Sequence, residues 1–305
     1  MLMSTLVFSA AAVFAPPATS CGDTITTSTT LSADIGPCNG FGLIIGANNI
    51  VLDCAGHTIT GRSTNYRAGI DLISISGATV KNCNVDHFYD GFFLGSSSNN
   101  TLVRNTANNT DVGFFLGGSS NNSLVKNIAN NTVDGFDLTG LNDNTLNGNT
   151  ANSRFNGFLL FNSSNNTLVR NTENGALYGF NFQFSLDNII NGNTAKRSNI
   201  GFYFDQSGNN TVNMNMATSN GIGFELHISS NITLIKNIAI NNAYGFGVSY
   251  FGNYLKMNTA DNNSQYGYYG ATGGGLLLVN TYFKDECSGN LVGGSFPTGL
   301  CTPQG

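Results

Sequence analysis

Residues 97–114 read SSNNTLVRNTANNTDVGF and residues 163–180 read SSNNTLVRNTENGALYGF, so a ten-residue unit recurs unchanged, each time leading to Gly-Phe. Working outward, Gly followed by a large apolar residue occurs at Gly69-Ile70, Gly91-Phe92, Gly113-Phe114, Gly135-Phe136, Gly157-Phe158, Gly179-Phe180, Gly201-Phe202, Gly223-Phe224, Gly245-Phe246 and Gly267-Tyr268, and every interval is 22. Two positions past each aromatic comes another apolar residue: Leu94, Leu116, Leu138, Leu160, Phe182, Phe204, Leu226 and Val248. This i, i+2 spacing predicts a strand with one buried face. A second column runs through Asn105, Asn127, Asn149, Asn171, Asn193, Asn215 and Asn237, and just ahead of it Leu102, Leu124, Leu146, Leu168, Ile190, Val212 and Leu234 mark another buried strand.

A fixed repeat of this length, with two or three short strands and no helical periodicity between them, predicts one coil of a parallel β-solenoid. Successive coils stack at ~4.8 Å, which places identical residues directly on one another. The composition fits. The 305 residues include 47 Asn and 38 Gly, both of which accept left-handed corners, and 22 Phe to fill an interior. A stacked, buried Asn can bond the backbone and pass its amide to the next Asn. The expected fold is all-β, with about eleven to twelve turns in a rod of roughly 50 to 60 Å. Helical bundles are excluded, since Asn and Gly disfavour helix interiors. With 12 Lys+Arg against 17 Asp+Glu, the chain also lacks the basic footprint of a nucleic-acid binder.

Residues 1–20 read as an export signal: an apolar run from Leu6 to Ala15 is followed by Pro16-Pro17-Ala18-Thr19-Ser20. Cys21 follows, without the large aliphatic residue three positions earlier that a lipoprotein box requires. No later stretch is apolar for long enough to span a membrane. Residues 21–301 form the expected single domain, with an N-terminal cap and first coils over 21–68, regular coils over 69–270 and a C-terminal cap over 271–305.

The units at 97–106 and 163–172, each leading to Gly-Phe, resemble the parallel β-helix repeats of the NosD and carbohydrate-binding/sugar-hydrolase (CASH) group. The opening Cys21-Gly22-Asp23-Thr24-Ile25 through Cys38, with Asn49-Ile50-Val51-Leu52-Asp53 and Gly56-His57-Thr58-Ile59, is similar to the start of many secreted members. The resemblance covers roughly residues 21 to 301 and implies a right-handed parallel β-helix. It says little of activity, because that architecture hosts lyases, hydrolases, epimerases and adhesins.

Six cysteines in an exported chain invite pairing. Aligning the segments that end in Cys54 and Cys83 gives an offset of 29, one coil plus a seven-residue insertion near Gly61 to Arg67. Cys54 and Cys83 then occupy the first two places of the Asn column, at a separation of ~4.8 Å that a disulfide accepts; a reduced stacked pair is the alternative. Cys21 with Cys38 and Cys287 with Cys301 would staple the two ends, where a solenoid exposes unpaired strand edges.

Chemistry is expected on outward positions of the Gly-Phe strands. One column holds Asp71, Phe93, Phe115, Asp137, Leu159, Asn181, Tyr203, Glu225, Gly247 and Tyr269; a second holds Ile73, Gly95, Gly117, Thr139, Phe161, Gln183, Asp205, His227, Ser249 and Ala271. Phe93, Phe115, Leu159, Phe161, Tyr203 and Tyr269 form a strip able to stack on sugar rings, or to lie under a loop or a neighbouring chain. Tyr203, Asp205, Glu225 and His227 meet on two adjacent coils and are the candidate catalytic set, with a solvated surface cluster as the competing reading. Phe224-Glu225-Leu226-His227 loosely resembles the Asp-Pro-His-Asp signature of mannuronan epimerases, with only His227 matching. Asp71, Asp90, Asp111 and Asp134, near Arg67, Tyr66 and His87, are the candidate calcium ligands by resemblance to β-helix pectate lyases. Asp90 and Asp134 each precede Gly, however, where Asp is an ordinary turn residue. No cofactor other than calcium is expected. Copper, suggested by the NosD name, finds no soft-ligand set in His57, His87, His227, Met214, Met216 and Met257.

The expected function is a secreted or cell-surface β-helix that binds polysaccharide or acts as an adhesive or structural rod. The alternative is a polysaccharide lyase, C5-epimerase or glycoside hydrolase working on the exposed face.

Overall fold

Each coil contains three strands, exemplified by Thr101–Val103, Thr106–Asn108 and Val112–Gly117. The computed structural model describes residues 19–62, 67–270, 281–283, 285–290, 293–296 and 301–303. Residues 1–18 of the expected export signal, Tyr66 and Ala271 lie outside them. Every pairing between coils is parallel, and equivalent positions of the repeat pair with one another: Leu102 with Leu124, Ala107 with Ala129 and Phe92 with Phe114. The described residues contain no helix, and none therefore long and apolar enough to cross a membrane. The fold is an all-β parallel solenoid of the right-handed β-helix type.

The Leu102-type strands form one 12-stranded sheet. The other two strand types join in a 24-stranded sheet, because Ile128–Thr139 and Thr150–Phe161 each run unbroken round the corner between them. The Thr106-type strands carry the column Ala107, Ala129, Ala151, Ala195, Ala217, Ala239 and Ala260, with Glu173 in the place between Ala151 and Ala195, all fully buried. The neighbouring Gly column packs against them. A Cβ on Gly113 would lie 2.6 Å from the Gly135 carbonyl oxygen and 2.7 Å from the Ala129 Cβ. Close approach, rather than a left-handed backbone, therefore fixes the glycine of each Gly-Phe pair.

Inside, Phe92, Phe114, Phe136, Phe158, Phe180, Phe202, Phe224, Phe246 and Tyr268 make one continuous stack, with centroids 4.6–4.9 Å apart and planes within 13°. Burying each ring contributes about 1.5–3 kcal/mol. The Asn column forms a hydrogen-bonded ladder. Asn149 Oδ1 accepts from the Asn127 backbone N–H at 2.8 Å and from Asn127 Nδ2 at 3.1 Å, while Asn149 Nδ2 donates to the Leu124 carbonyl at 2.9 Å. A second ladder, Asn100, Asn122, Asn144, Asn166, Asn188 and Asn210, satisfies the preceding corner in the same way.

Cysteine and aspartate terminate the first ladder. Cys83 N–H donates to Asn105 Oδ1 at 3.0 Å, which places Cys83 in the column. At the other end Asp285 Oδ1 accepts from Asn258 N–H at 2.7 Å and Asn258 Nδ2 at 2.9 Å. The disulfides are Cys21–Cys38, Cys54–Cys83 and Cys287–Cys301, with Cα separations of 5.4, 4.7 and 5.9 Å. Within the regular coils the step shortens at one turn: the partner of Thr233 is Tyr254, 21 residues on, so the turn at 249–253 is one residue short. The step returns to 22 by Phe246 and Tyr268 on the next strand type, which keeps the Gly-Phe column in line.

Candidate functional site

The Gly-Phe strands present three outward columns. Besides the two read from the sequence, the residue before each Gly faces outward in register: Asp90, Val112, Asp134, Asn156, Tyr178, Ile200, Ile222 and Tyr244. Phe93 and Phe115 are half-buried and stacked, with centroids 5.3 Å apart. Their rings pack beside Gly95 and Gly117: a Cβ at either glycine would come within 2.8 or 2.9 Å of the ring two residues before it. The strip thus begins as a stacked pair of rings, for which the glycines of the second column leave room. Leu159 continues the first column half-buried, and Phe161 stands exposed against the edge of Phe184, with centroids 5.7 Å apart.

Carboxyls bracket the stack along the rod. Asp71 is the column neighbour below Phe93, and Asp137 the one above Phe115. Asp71 is only 4% exposed, and its Oδ1 has no hydrogen-bond partner. Burial pushes its carboxyl up to about 6, against the pull of Arg67. Burial likewise raises Asp90 to about 7, with repulsion from Asp137, Asp111 and Asp71 adding to it. Asp137 rises to about 6, again chiefly through burial, although Thr139 Oγ1 donates to it at 2.8 Å. Asp134 is raised by burial while Asn156 donates to its Oδ1 from N–H at 3.0 Å and Nδ2 at 2.8 Å. Asp90 and Asp134 share a column but are separated by Val112, and Asp71 belongs to the column of Phe93. Asp111 is exposed at a corner. The four aspartates read as calcium ligands are therefore spread over four coils. No three carboxylates, imidazoles or thiolates converge to hold a metal among the described residues.

Farther along, Tyr203, Asp205, Glu225 and His227 are brought together. Tyr203 pairs with Glu225 and Asp205 with His227 in register. His227 Nδ1 lies 2.8 Å from Asp205 Oδ1, and the Tyr203 and His227 rings are parallel within 20° at 6.4 Å. Glu225 is half-buried, and burial raises its carboxyl. The Tyr269 hydroxyl donates to Glu225 Oε2 across the intervening coil, where the column residue is Gly247. Tyr203 is pushed up to about 12, by burial first and then by Asp205. Two residues not singled out from the sequence join the site: Tyr178 stacks on Tyr203 at 5.2 Å, and Tyr244 packs on Tyr269 at 5.0 Å. Both stand immediately before Gly, so the same 22-residue ruler, applied to that position, finds them.

A cleft of about 160 Å³ opens at the start of the strip, lined by Phe41, Ala68, Asp71, Ile73, Asp90 and Phe93. The Arg67 guanidinium sits over the Phe41 ring, 4.7 Å from its centroid. Phe41 was not legible as a site residue, because it precedes the first regular Gly-Phe unit.

Twenty-two solved chains match this fold. Among them, the A-module of the mannuronan C-5 epimerase AlgE6 from Azotobacter vinelandii is similar with a TM-score of 0.61 at 15% identity, over 90% of this chain and 85% of that one. The catalytic domain of a GH87 α-1,3-glucanase in complex with nigerose gives a TM-score of 0.44 at 17% identity, over 94% of this chain and 63% of that one. At these identities the likeness concerns the fold. No curated protein matches the chain.

The family model described as "Periplasmic copper-binding protein (NosD)" matches residues 22–202 and 161–295. The residues present do not fit copper. His57, His87 and His227 lie on separate coils, each against its own carboxylate, Asp34 at 3.1 Å, Asp86 at 2.8 Å and Asp205 at 2.8 Å. All six cysteines are in disulfides, which leaves no thiolate. With matches that together span residues 22–295, the chain belongs to the NosD family.

Proposed function

We propose that this protein is a polysaccharide-binding β-helix that acts outside the cytoplasm and holds a glycan chain along its Gly-Phe face. The observation that carries this reading is the Phe93/Phe115 stack, packed beside Gly95 and Gly117 and bracketed by Asp71 and Asp137. Half-buried rings held in place by such a stack are pre-organised to meet the C–H groups of a sugar, and flanking carboxyls accept its hydroxyls. Leu159, Phe161, Tyr203 and Tyr269 extend the surface along the rod axis, so that a chain can run from coil to coil. The three disulfides suit an oxidising compartment. The test is retention on a panel of neutral and acidic glycans. Phe93→Ala and Phe115→Ala should each weaken retention by ~1 kcal/mol through lost aromatic contact. Retention that survives both changes defeats the reading.

A second reading is supported by the oriented Asp205–His227 pair beside Glu225, a carboxyl whose protonated form is favoured by burial. An imidazole fixed by a carboxylate, next to a carboxyl that burial makes a weaker acid, has the groups for acid and base steps on a uronate or glycoside. Incubation with polyuronates and neutral glycans, followed by assay of unsaturated and reducing ends, tests it. Glu225→Gln and His227→Ala should then abolish turnover, and absence of turnover in the wild type removes this reading.

A further inference from the structure

The cleft below Phe93 has features that a neutral sugar platform does not need. Asp71 is 96% buried by its 4% exposure, yet its Oδ1 lacks any donor. An orphaned buried carboxylate oxygen is costly, and a ligand that supplies a charged N–H removes that cost. Asp90 lines the same cleft, and Phe93 and Phe41 form aromatic walls. The carboxyls that line it are Asp71 and Asp90; Asp137 and Asp111 lie close enough to repel Asp90, and Arg67 is the cation that acts on Asp71. Arg67 is engaged with the Phe41 ring, and no ion pair reaches Asp71 or Asp90 among the described residues. The local field is therefore negative, and the walls suit a cation, which aromatic faces attract.

We infer that this cleft is a subsite for a sugar bearing a primary ammonium group, with Asp71 and Asp90 accepting its N–H bonds and Phe93 stacking on its ring. The inference rests on the reading of the Gly-Phe face as a glycan-binding strip, and it names the kind of unit bound at that strip's first coils. The volume of about 160 Å³ exceeds the ~30 Å³ share of one water several-fold and is smaller than a drug-sized pocket. That suits one monosaccharide of a chain whose remaining units continue over Phe115. A metal ion is disfavoured by the donor set, since only two carboxylates line the cleft. Ammonium binding favours the ionised carboxyls, so association near pH 6.5 should release protons to the buffer, because burial holds Asp71 and Asp90 partly protonated there.

The test is calorimetric titration of the whole protein with a glucosamine tetramer and with its fully N-acetylated counterpart, in two buffers of different ionisation enthalpy. The free tetramer should bind about tenfold more tightly and release protons, as expected for a charge-assisted contact combined with a cation–π one. Asp71→Asn and Asp90→Asn should each remove the tenfold preference for the free tetramer over its acetylated counterpart, together with the proton release. Cyclohexylammonium, read against cyclohexanol, is the small probe of the cleft alone. Equal binding of both tetramers overturns the ammonium subsite and leaves the glycan strip standing. Failure of both tetramers, with cyclohexylammonium still bound in an Asp71-dependent way, overturns the strip and leaves the cation cleft. Failure of cyclohexylammonium to bind in preference to cyclohexanol overturns the cleft itself.

Discussion

Tyr269 donates its hydroxyl to Glu225 although the two residues are 44 positions apart, because Gly247 leaves the intervening coil without a side chain. At the start of the column, by contrast, Phe93 meets its immediate successor Phe115. The bond gives Glu225 a donor despite its burial.

Gly247→Ala tests this directly, since an added methyl would overlap both Glu225 Oε2 and the Tyr269 hydroxyl. The expected cost is about 1–3 kcal/mol, read as a lower urea midpoint with unchanged slope. Tyr269→Phe should cost about 1–3 kcal/mol at neutral pH, because it leaves a half-buried carboxylate without its donor. It should also push the Glu225 carboxyl further up in an NMR titration, since the Tyr269 bond is what lowers it.

Stability should fall as pH rises from about 4 to about 7. Asp71, Asp90 and Asp137 are raised from 3.8 to about 6, about 7 and about 6, so the folded state binds more protons than the unfolded chain across that window. Below it the sign reverses: Asp34 and Asp53 are lowered, chiefly by the Thr58 N–H and the Asn82 side chain, and their contribution is lost as pH drops under 3.8. Urea midpoints should therefore peak near pH 4 to 5, and Asp90→Asn should flatten the decline above it. A midpoint that rises from pH 5 to pH 7.5 contradicts this assignment.

Asn149→Ala removes one rung of the buried ladder. The Asn127 N–H and Nδ2, the Leu124 carbonyl and Asn171 Oδ1 each bond to that side chain. A loss of about 3 kcal/mol or more is expected, since several buried polar groups are left unpaired at once. Hydrogen exchange should show amide opening centred on residues 124–149, with the Phe stack's distant coils still protected.

Reducing the Cys54–Cys83 bridge, or replacing both residues by Ala, should cost about 3 to 4 kcal/mol for a separation of 29. The native protein should show no reactive thiol before unfolding. Detection of two or more would contradict the bridges.

A solenoid turns interval into adjacency, and for that reason much of this molecule was legible in its sequence. The 22-residue ruler identified the Phe and Leu interior, the Asn column and the meeting of Cys54 with Cys83, since each of these needs only column membership. The third strand was less visible: Thr106–Asn108 carries one buried Ala between two polar residues, too short for alternation to register. The acidic cluster was legible as composition but not as geometry, because a column assigns a face and not a burial. Only tertiary structure decided that Phe93 and Phe115 stack beside the glycines of the next column, that Asp71 is enclosed with an unpaired oxygen, and that Tyr269 crosses a coil to reach Glu225. Each of these depends on side-chain conformation and on the space a neighbouring coil leaves open, and a one-dimensional repeat carries neither.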